Sequence, residues 1–158
     1  MSGSRSLQHL NVSRYANSSS GDRVVYIFDT AAFLSALQLY IYTGDIVTTP
    51  NVIQEVKDSD SVLRLELASI AERFRVEIPE LRYLEEVRGI ARKRKLLEKL
   101  SQTDLEVIAL ALQYKDRGFK PIVFTDDYDI QLMLRSVGIE FKPVKTMGIG
   151  KFSTSLRV

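Results

Sequence analysis

No cysteine occurs in the 158 residues, which excludes disulfides, thiolate catalysis and cysteine-based zinc sites. The single histidine, His9, lies in a polar N-terminal stretch, so a histidine metal site or a Ser-His-Asp triad finds no support. No apolar run approaches the roughly 20 residues of a membrane-spanning helix, and no membrane association is expected. Met1 to Asp22 is rich in Ser, Asn and Arg and lacks the apolar middle of a signal peptide. It reads as a disordered leader. Charge of one sign is also scarce: 22 basic residues against 20 acidic leave +2, too little to mark a nucleic-acid partner by itself. What remains is an ordinary globular composition, long enough for one domain with a real core. We expect that domain over 23–151 and a tail over 152–158. The lack of cysteine permits a reducing compartment, and a cytoplasmic location is the expectation.

Short apolar runs alternate with helical patterns. Val24 to Phe28 (VVYIF) is β-branched and aromatic, as a strand buried on both faces would be. Thr30 to about Tyr42 is apolar nearly all round and predicts a buried helix closed by Gly44. Ile46 to Thr48 suggests a second strand. Thr49-Pro50 then reads as an N-cap and a proline at the first helical position, with Val52, Ile53 and Val56 inward. A further helix follows Asp60 or Ser61, carrying Leu63, Leu67, Ile70, Ala71 and Phe74. Arg75 to Ile78 is a strand candidate, and Glu80 to Gly89 a helix with Leu81, Leu84 and Val87 inward. Ile90 to Leu100 fits either a continuation of that helix or a charged loop. Ser101-Gln102-Thr103-Asp104 opens a strong helix with Leu105, Ile108, Ala109 and Leu112 inside. Pro121 to Phe124 is the next strand, Ile130, Met133, Leu134 and Val137 mark the last helix, and Ile139 to Phe141 a last strand. The alternation predicts an α/β three-layer sandwich with a central, mostly parallel sheet of four or five strands.

Five carboxylates stand where these runs end or helices begin: Asp29, Glu55, Asp104, Asp126 and Asp127. Each has a bland explanation. Asp29 can cap the helix at Thr30, Glu55 can be a solvated helix face, and Asp104 completes an S-x-x-D capping box with Ser101. Asp126 and Asp127 suit a turn and a cap, although two adjacent acids plus Asp129 exceed what one cap requires. Parallel sheets, however, place ligands outside the carboxyl ends of their strands, where Asp29 and the Asp126/Asp127 pair are expected. Gathered acids repel unless a cation joins them, and an oxygen-only set suits Mg²⁺ or Mn²⁺, one ion or two. Which of Asp126 and Asp127 points into the cleft stays open. Thr30 and Thr125 are candidates to orient a carboxylate or a metal-bound water, with helix capping the alternative for both.

Four segments carry a resemblance: FDTAAFL at 28–34, TPNVIQEVKD at 49–58, LSQTDLEVIALAL at 100–112 and VFTDDYDIQLMLRSVGI at 123–139. Together they resemble the acidic motifs of the PIN-domain ribonucleases over about Val24 to Lys151. Within that superfamily, V-x-E-V-K-D, L-S-x-T-D and T-D-D-Y-x-I-Q are similar to the NIN-one-binding endonucleases that mature the 3′ end of small-subunit rRNA. The resemblance implies Mg²⁺- or Mn²⁺-dependent cleavage of single-stranded RNA, with Asp29, Glu55, Asp104 and Asp127 as metal-holding acids and Asp126 as a fifth. The assembly endonucleases usually continue into a cysteine-rich zinc ribbon, and this chain has no cysteine. That departure bears on the rRNA substrate more than on the nuclease chemistry. HAD-type phosphatases fit less well, because they want D-x-D where Asp29-Thr30-Ala31 stands. Receiver domains give no reason for an acid at Asp104.

For the substrate, Arg88, Arg92, Lys93, Arg94, Lys95 and Lys99 face a single acid, Glu98, a local +5 in a chain of +2. A helix would put Arg88, Arg92, Lys95 and Lys99 on one face, and a loop would make a basic arm. Either arrangement binds phosphates, and a solvated helix face is the plain alternative. Tyr128, beside the acids, is the aromatic best placed to stack on a base. Two other functions remain: a toxin ribonuclease paired with an antitoxin, and a non-catalytic RNA- or protein-binding module. PIN relatives often dimerise, so a homodimer stays open.

Overall fold

The computed structural model describes residues 23–35, 45–59 and 74–145. These form β1 (Val24–Phe28), α1 (Thr30–Leu34), β2 (Asp45–Thr48), α2 (Pro50–Asp58), β3 (Phe74–Val76), α3 (Leu81–Lys93), α4 (Gln102–Asp116), β4 (Lys120–Phe124), α5 (Tyr128–Ser136) and β5 (Glu140–Lys142), with a 3₁₀ turn at Leu97–Lys99. The five strands make one sheet in the order β3-β2-β1-β4-β5, and every pair is parallel. The apolar β1 and β4 run side by side at the centre, with Phe28 level with Phe124. No described helix is long and apolar enough to cross a membrane.

Connection handedness sorts the helices into layers. From β1 the chain steps through β2 to β3 on one side, then crosses to β4 and β5 on the other. Right-handed crossovers in opposite directions place helices on opposite faces. Consistent with this, α1 packs on α2 and β1, whereas α4 packs on β4, β1, α3 and α5. The three-layer α/β sandwich expected from the sequence is therefore present. Strand order reverses between β1 and β4, and the carboxyl ends of those two strands flank the crevice where open α/β sheets bind ligands.

The core explains why these segments hold together. Ile27, Phe28, Phe33, Val123 and Phe124 are fully buried. Phe28 meets Phe33 and Phe124 edge-on, at 5.0 and 5.6 Å between ring centres. Each such side chain contributes about 1.5–3 kcal/mol by leaving water. Helix α4 buries ten of its fifteen residues, adding Val107, Leu110, Ala111 and Tyr114 to the expected stripe. It is a central helix, covered by the sheet on one side and by α3 and α5 on others. Gly118 and Gly138 follow α4 and α5 at φ +91° and +70°, a conformation that strains any residue with a Cβ.

Three expectations need correction or narrowing. Phe74 does not close a helix; it opens β3, and its ring packs edge-on against Phe33 at 5.1 Å. Leu81 is 63% exposed, because α3 turns Tyr83, Leu84, Val87 and Ala91 inward and Leu81 lies two residues from Tyr83, across the helix. The stretch after Ile90 is neither one helix nor one loop. Helix α3 runs to Lys93, and Lys95 then turns at φ 59°, so Arg88 and Arg92 share a face that Lys95 and Lys99 have left. The helices expected beyond Ser35 and over 60–73 lie outside the described residues.

Candidate active site

Asp29 follows β1 directly and is buried, with 8% of its surface exposed. Its backbone N–H donates to the carbonyl of Phe124, the last residue of β4, at 3.3 Å, so the β1–β4 pairing carries one step past β1. One side-chain oxygen, Oδ1, accepts from Thr30 N–H at 2.8 Å, capping α1. The other, Oδ2, accepts from the Thr125 hydroxyl at 3.0 Å. Thr125 has no exposed surface, and its Oγ1 also accepts from Asp127 N–H at 3.1 Å. A single hydroxyl therefore ties the end of β1 to the turn after β4.

The other acids arrive from separate helices. Glu55 is exposed on α2, beside the buried Val52 and Val56, and its Oε2 accepts from the Thr30 hydroxyl at 2.6 Å. Asp104 makes the capping box expected of it: Oδ2 accepts from Ser101 N–H at 2.8 Å, and Ser101 Oγ accepts from Asp104 N–H at 3.1 Å. It remains only half-buried and feels the charges of Asp127 and Glu55. Capping therefore coexists in this residue with electrostatic coupling to the other acids. Asp127 caps α5, with Oδ1 accepting from Asp129 N–H at 2.8 Å and Ile130 N–H at 3.1 Å.

Electrostatics links the four in pairs, with Asp104 coupled to each of the others. Burial pushes the Asp29 carboxyl up to about 6, against hydrogen bonds from Thr30 and Thr125, and the charges of Asp104 and Glu55 add to the rise. Asp104 is also raised, first by burial and then by the charges of Asp127 and Glu55, against its bonds to Ser101. Among the described residues no Lys or Arg forms an ion pair with any of the four. An oxygen-only donor set under mutual repulsion has the chemistry a hard divalent cation relieves. Among the described residues no three acids stand close enough to cage an ion as they are; Asp29, Asp104 and Asp127 lie at the carboxyl ends of β1 and β4 and at the helix starts beside them.

The adjacent acids after β4 part company. Asp126 binds the returning chain: its Oδ1 accepts from two successive backbone amides, Val144 at 2.6 Å and Lys145 at 3.1 Å. It pins the chain beyond β5 to the end of β4. These bonds occupy Oδ1 alone, as those of Asp127 occupy its Oδ1, so Asp126 has a structural task of its own while its Oδ2 is not engaged by them.

On the basic side, Arg92, Lys93, Arg94, Lys95 and Lys99 are exposed and Arg88 is half-buried. Arg88 Nη2 donates to Gln102 Oε1 at 2.8 Å, at the start of the Asp104 helix. Tyr128 is 69% exposed next to Asp127. Three residues with polar roles here escape a reading of the sequence. Glu106 accepts from Gln102 Nε2 at 3.2 Å and from Asn51 Nδ2 at 2.9 Å, and Gln131 Nε2 donates to the Thr125 carbonyl at 3.0 Å. The Gln102–Glu106 spacing of four is a visible signal. Nothing local joins Asn51 to a residue 55 positions away.

A family profile described as the PIN domain of ribonuclease matches residues 26–114, more than half of the chain and inclusive of Asp29, Glu55 and Asp104. The chain belongs to the PIN-domain ribonuclease family. Ribonuclease VapC3 of Aeropyrum pernix is 38% identical over 117 residues, covering 74% of this chain and 84% of that protein. Endoribonuclease Nob1 of Pyrococcus abyssi is 35% identical over 75% of this chain and 68% of its own length. The Nob1 of Archaeoglobus fulgidus is 35% identical over 80% and 72%. Among solved structures, a PilT N-terminus domain protein from Sulfolobus solfataricus P2 matches with a TM-score of 0.53. It covers 85% of this chain and 95% of that one at 15% identity, a likeness of fold.

Proposed function

We propose that this PIN-domain ribonuclease is an endonuclease for single-stranded RNA that depends on Mg²⁺ or Mn²⁺ held by Asp29, Glu55, Asp104 and Asp127. The observation that carries the reading is the coupling of four acids, from four elements, near the strand-order reversal, without a cationic partner among the described residues. A folding role explains each acid singly, but does not explain a buried carboxyl held at about 6 by its surroundings.

When bound, a divalent cation lowers the pKa of an attacking water and offsets charge on the scissile phosphate. The chain's own residues do the rest. Thr125 fixes the rotamer of Asp29 and the backbone of Asp127 with one hydroxyl, and Thr30 steers Glu55. The capping bonds of Asp104 and Asp127 each engage one carboxylate oxygen and leave the other for a ligand. Arg88, Arg92, Lys93, Arg94, Lys95 and Lys99 supply phosphate contacts that draw RNA to the mouth without reading its sequence. Asp126 acts structurally.

For the biological substrate we propose small-subunit pre-rRNA near its 3′ end. Support comes from the motif resemblance and from relatives named Endoribonuclease Nob1. A toxin ribonuclease is the second reading, favoured by the 38% identity to a protein named Ribonuclease VapC3. The test is cleavage of labelled RNAs in Mn²⁺ and in EDTA, comparing an rRNA 3′ precursor with unrelated single strands. Selective cutting at one precursor site supports the first reading. Unselective cutting, together with growth arrest on expression of the chain alone, supports the second. No cutting of any RNA by the folded protein in either metal overturns both.

A further inference from the structure

Glu106 lies two residues past Asp104 on α4, and each of its oxygens is taken by a side-chain amide, Oε2 by Asn51 at 2.9 Å and Oε1 by Gln102 at 3.2 Å. That occupancy makes it an anchor for neighbours rather than a ligand. Asn51 stands one helical turn before Glu55 on α2, hence on the same face. Gln102 in turn accepts from Arg88 of α3 at 2.8 Å. A hydrogen-bonded chain, Asn51–Glu106–Gln102–Arg88, therefore runs over three helices, two bearing an acid of the crevice and one bearing a cation. The helices α2 and α4 do not pack along their lengths, and Asn51–Glu106 is the side-chain hydrogen bond joining them among the described residues. All four residues are exposed or half-buried, so core packing does not call for the chain. Hydrogen bonds to a carboxylate are stronger than neutral pairs, which lets one residue hold two partners at the surface.

We propose that Glu106 is a positioning residue: through Asn51 it sets the separation of Glu55 from Asp104, and through Gln102 it presents Arg88 beside them. This rests on the nuclease reading above. The test measures Mn²⁺ affinity by calorimetry on the metal alone, kcat and KM on a single-stranded RNA, and thermal unfolding. For Glu106→Ala we expect Mn²⁺ binding and kcat each about tenfold lower, the size typical of losing a partner that orients a ligand. Glu106→Gln, which keeps one acceptor oxygen, recovers part of the loss. Asn51→Ala reproduces the Mn²⁺ defect and serves in place of Glu106→Ala if that variant does not fold. The Asn51→Ala/Glu106→Ala double variant is no worse than Glu106→Ala, because both remove the same bond. Arg88→Ala raises KM and leaves Mn²⁺ affinity unchanged. Wild-type metal affinity in folded Glu106→Ala, or simple addition of the two losses, overturns the proposal while the nuclease reading stands. A wild-type chain that neither binds Mn²⁺ nor cuts RNA overturns both.

Discussion

Two groups of acids sit at opposite ends of α4, and they are treated differently. At the C-terminal end, Glu77 and Glu80 are met by guanidinium groups: Arg117 lies 3.9 Å from Glu77 and 3.2 Å from Glu80, and Arg82 lies 3.0 Å from Glu80. Tyr114 also donates to Glu77 at 2.6 Å, and Gln113 Oε1 accepts from Glu80 N–H at 2.8 Å. The hydrogen bond from Arg82, with Arg117 behind it, holds the Glu80 carboxyl below its ordinary value. At the N-terminal end the shifts run upward. Asp29, Glu55, Asp104 and Asp127 receive neutral hydroxyls and backbone amides, and burial and each other's charge raise Asp29 and Asp104. The first group is complete as it stands and braces the loop after β3. The second has no basic partner among the described residues, which is the condition the proposed cation would relieve.

The sharpest way to break this contrast is to neutralise one acid of each group. Asp29→Asn and Asp127→Asn should each lower the rate of RNA cleavage in Mn²⁺ by about a hundredfold or more, since removing a ligand exceeds the 10–100-fold effect of removing its outer partners. Glu80→Gln should leave it unchanged. Equal losses in all three, or none in any, would erase the distinction between the clusters.

Without metal, the same contrast has a pH signature. The Asp29 carboxyl is near 6 when folded against its ordinary value of 3.8, so the fold prefers it protonated. Its contribution is fully present below about pH 4 and is lost as pH rises through about 6; over that window metal-free stability should fall by up to about 3 kcal/mol. Asp104 is raised too and adds in the same direction. Asp29→Asn should flatten the curve and make the metal-free protein more stable at pH 7.5, while Mn²⁺ should restore wild-type stability there and do less for the variant. Chemical denaturation from pH 4 to 8 in EDTA is the check, and a wild-type curve that rises over this range contradicts the assignment.

Asp126 and Asp127 repeat the contrast at adjacent positions. Asp126→Asn keeps an acceptor oxygen for Val144 and Lys145, so cleavage and stability should stay near wild type. Asp126→Ala leaves two backbone donors without their acceptor, one of them on the buried Val144, and should lower stability by about 1–3 kcal/mol. An Asp126→Asn variant as inactive as Asp127→Asn would return Asp126 to the metal-holding set.

The strands and most helix starts are legible in the sequence because these depend on local rules. VVYIF and PIVF read as buried strands, Thr49-Pro50 and the Ser101/Asp104 box announce their helices, and glycine beyond α4 and α5 marks their ends. The acids are visible as a pattern of strand and helix ends. Hidden from it is everything decided by direction across the fold. Asp126 and Asp127 are chemically the same side chain, and only the return of the chain at Val144 separates them. Phe74 fits a helical stripe as well as a strand, until Phe33 supplies its partner. The Asn51–Glu106 bond joins residues 55 positions apart, and no local spacing encodes that.

The smallest expected effect concerns the basic residues at the end of α3, which lie close to the uncompensated acids in sequence yet neutralise none of them. Unlike Arg117 and Arg82, which are spent on Glu77 and Glu80, Arg92, Lys93 and Arg94 are exposed and take part in no ion pair among the described residues. If they meet RNA as proposed, their loss should show in binding and not in stability. Replacing all three by alanine should leave thermal unfolding within a degree or two, because surface charges contribute little to stability. It should also reduce the dependence of RNA affinity on log salt concentration by roughly 2, about 0.7 for each phosphate of a single strand that is no longer neutralised. Arg117→Ala should do the reverse, disturbing stability through Glu77 and Glu80 and leaving the salt slope alone. An unchanged slope in the triple variant would mean that RNA approaches the crevice from another side.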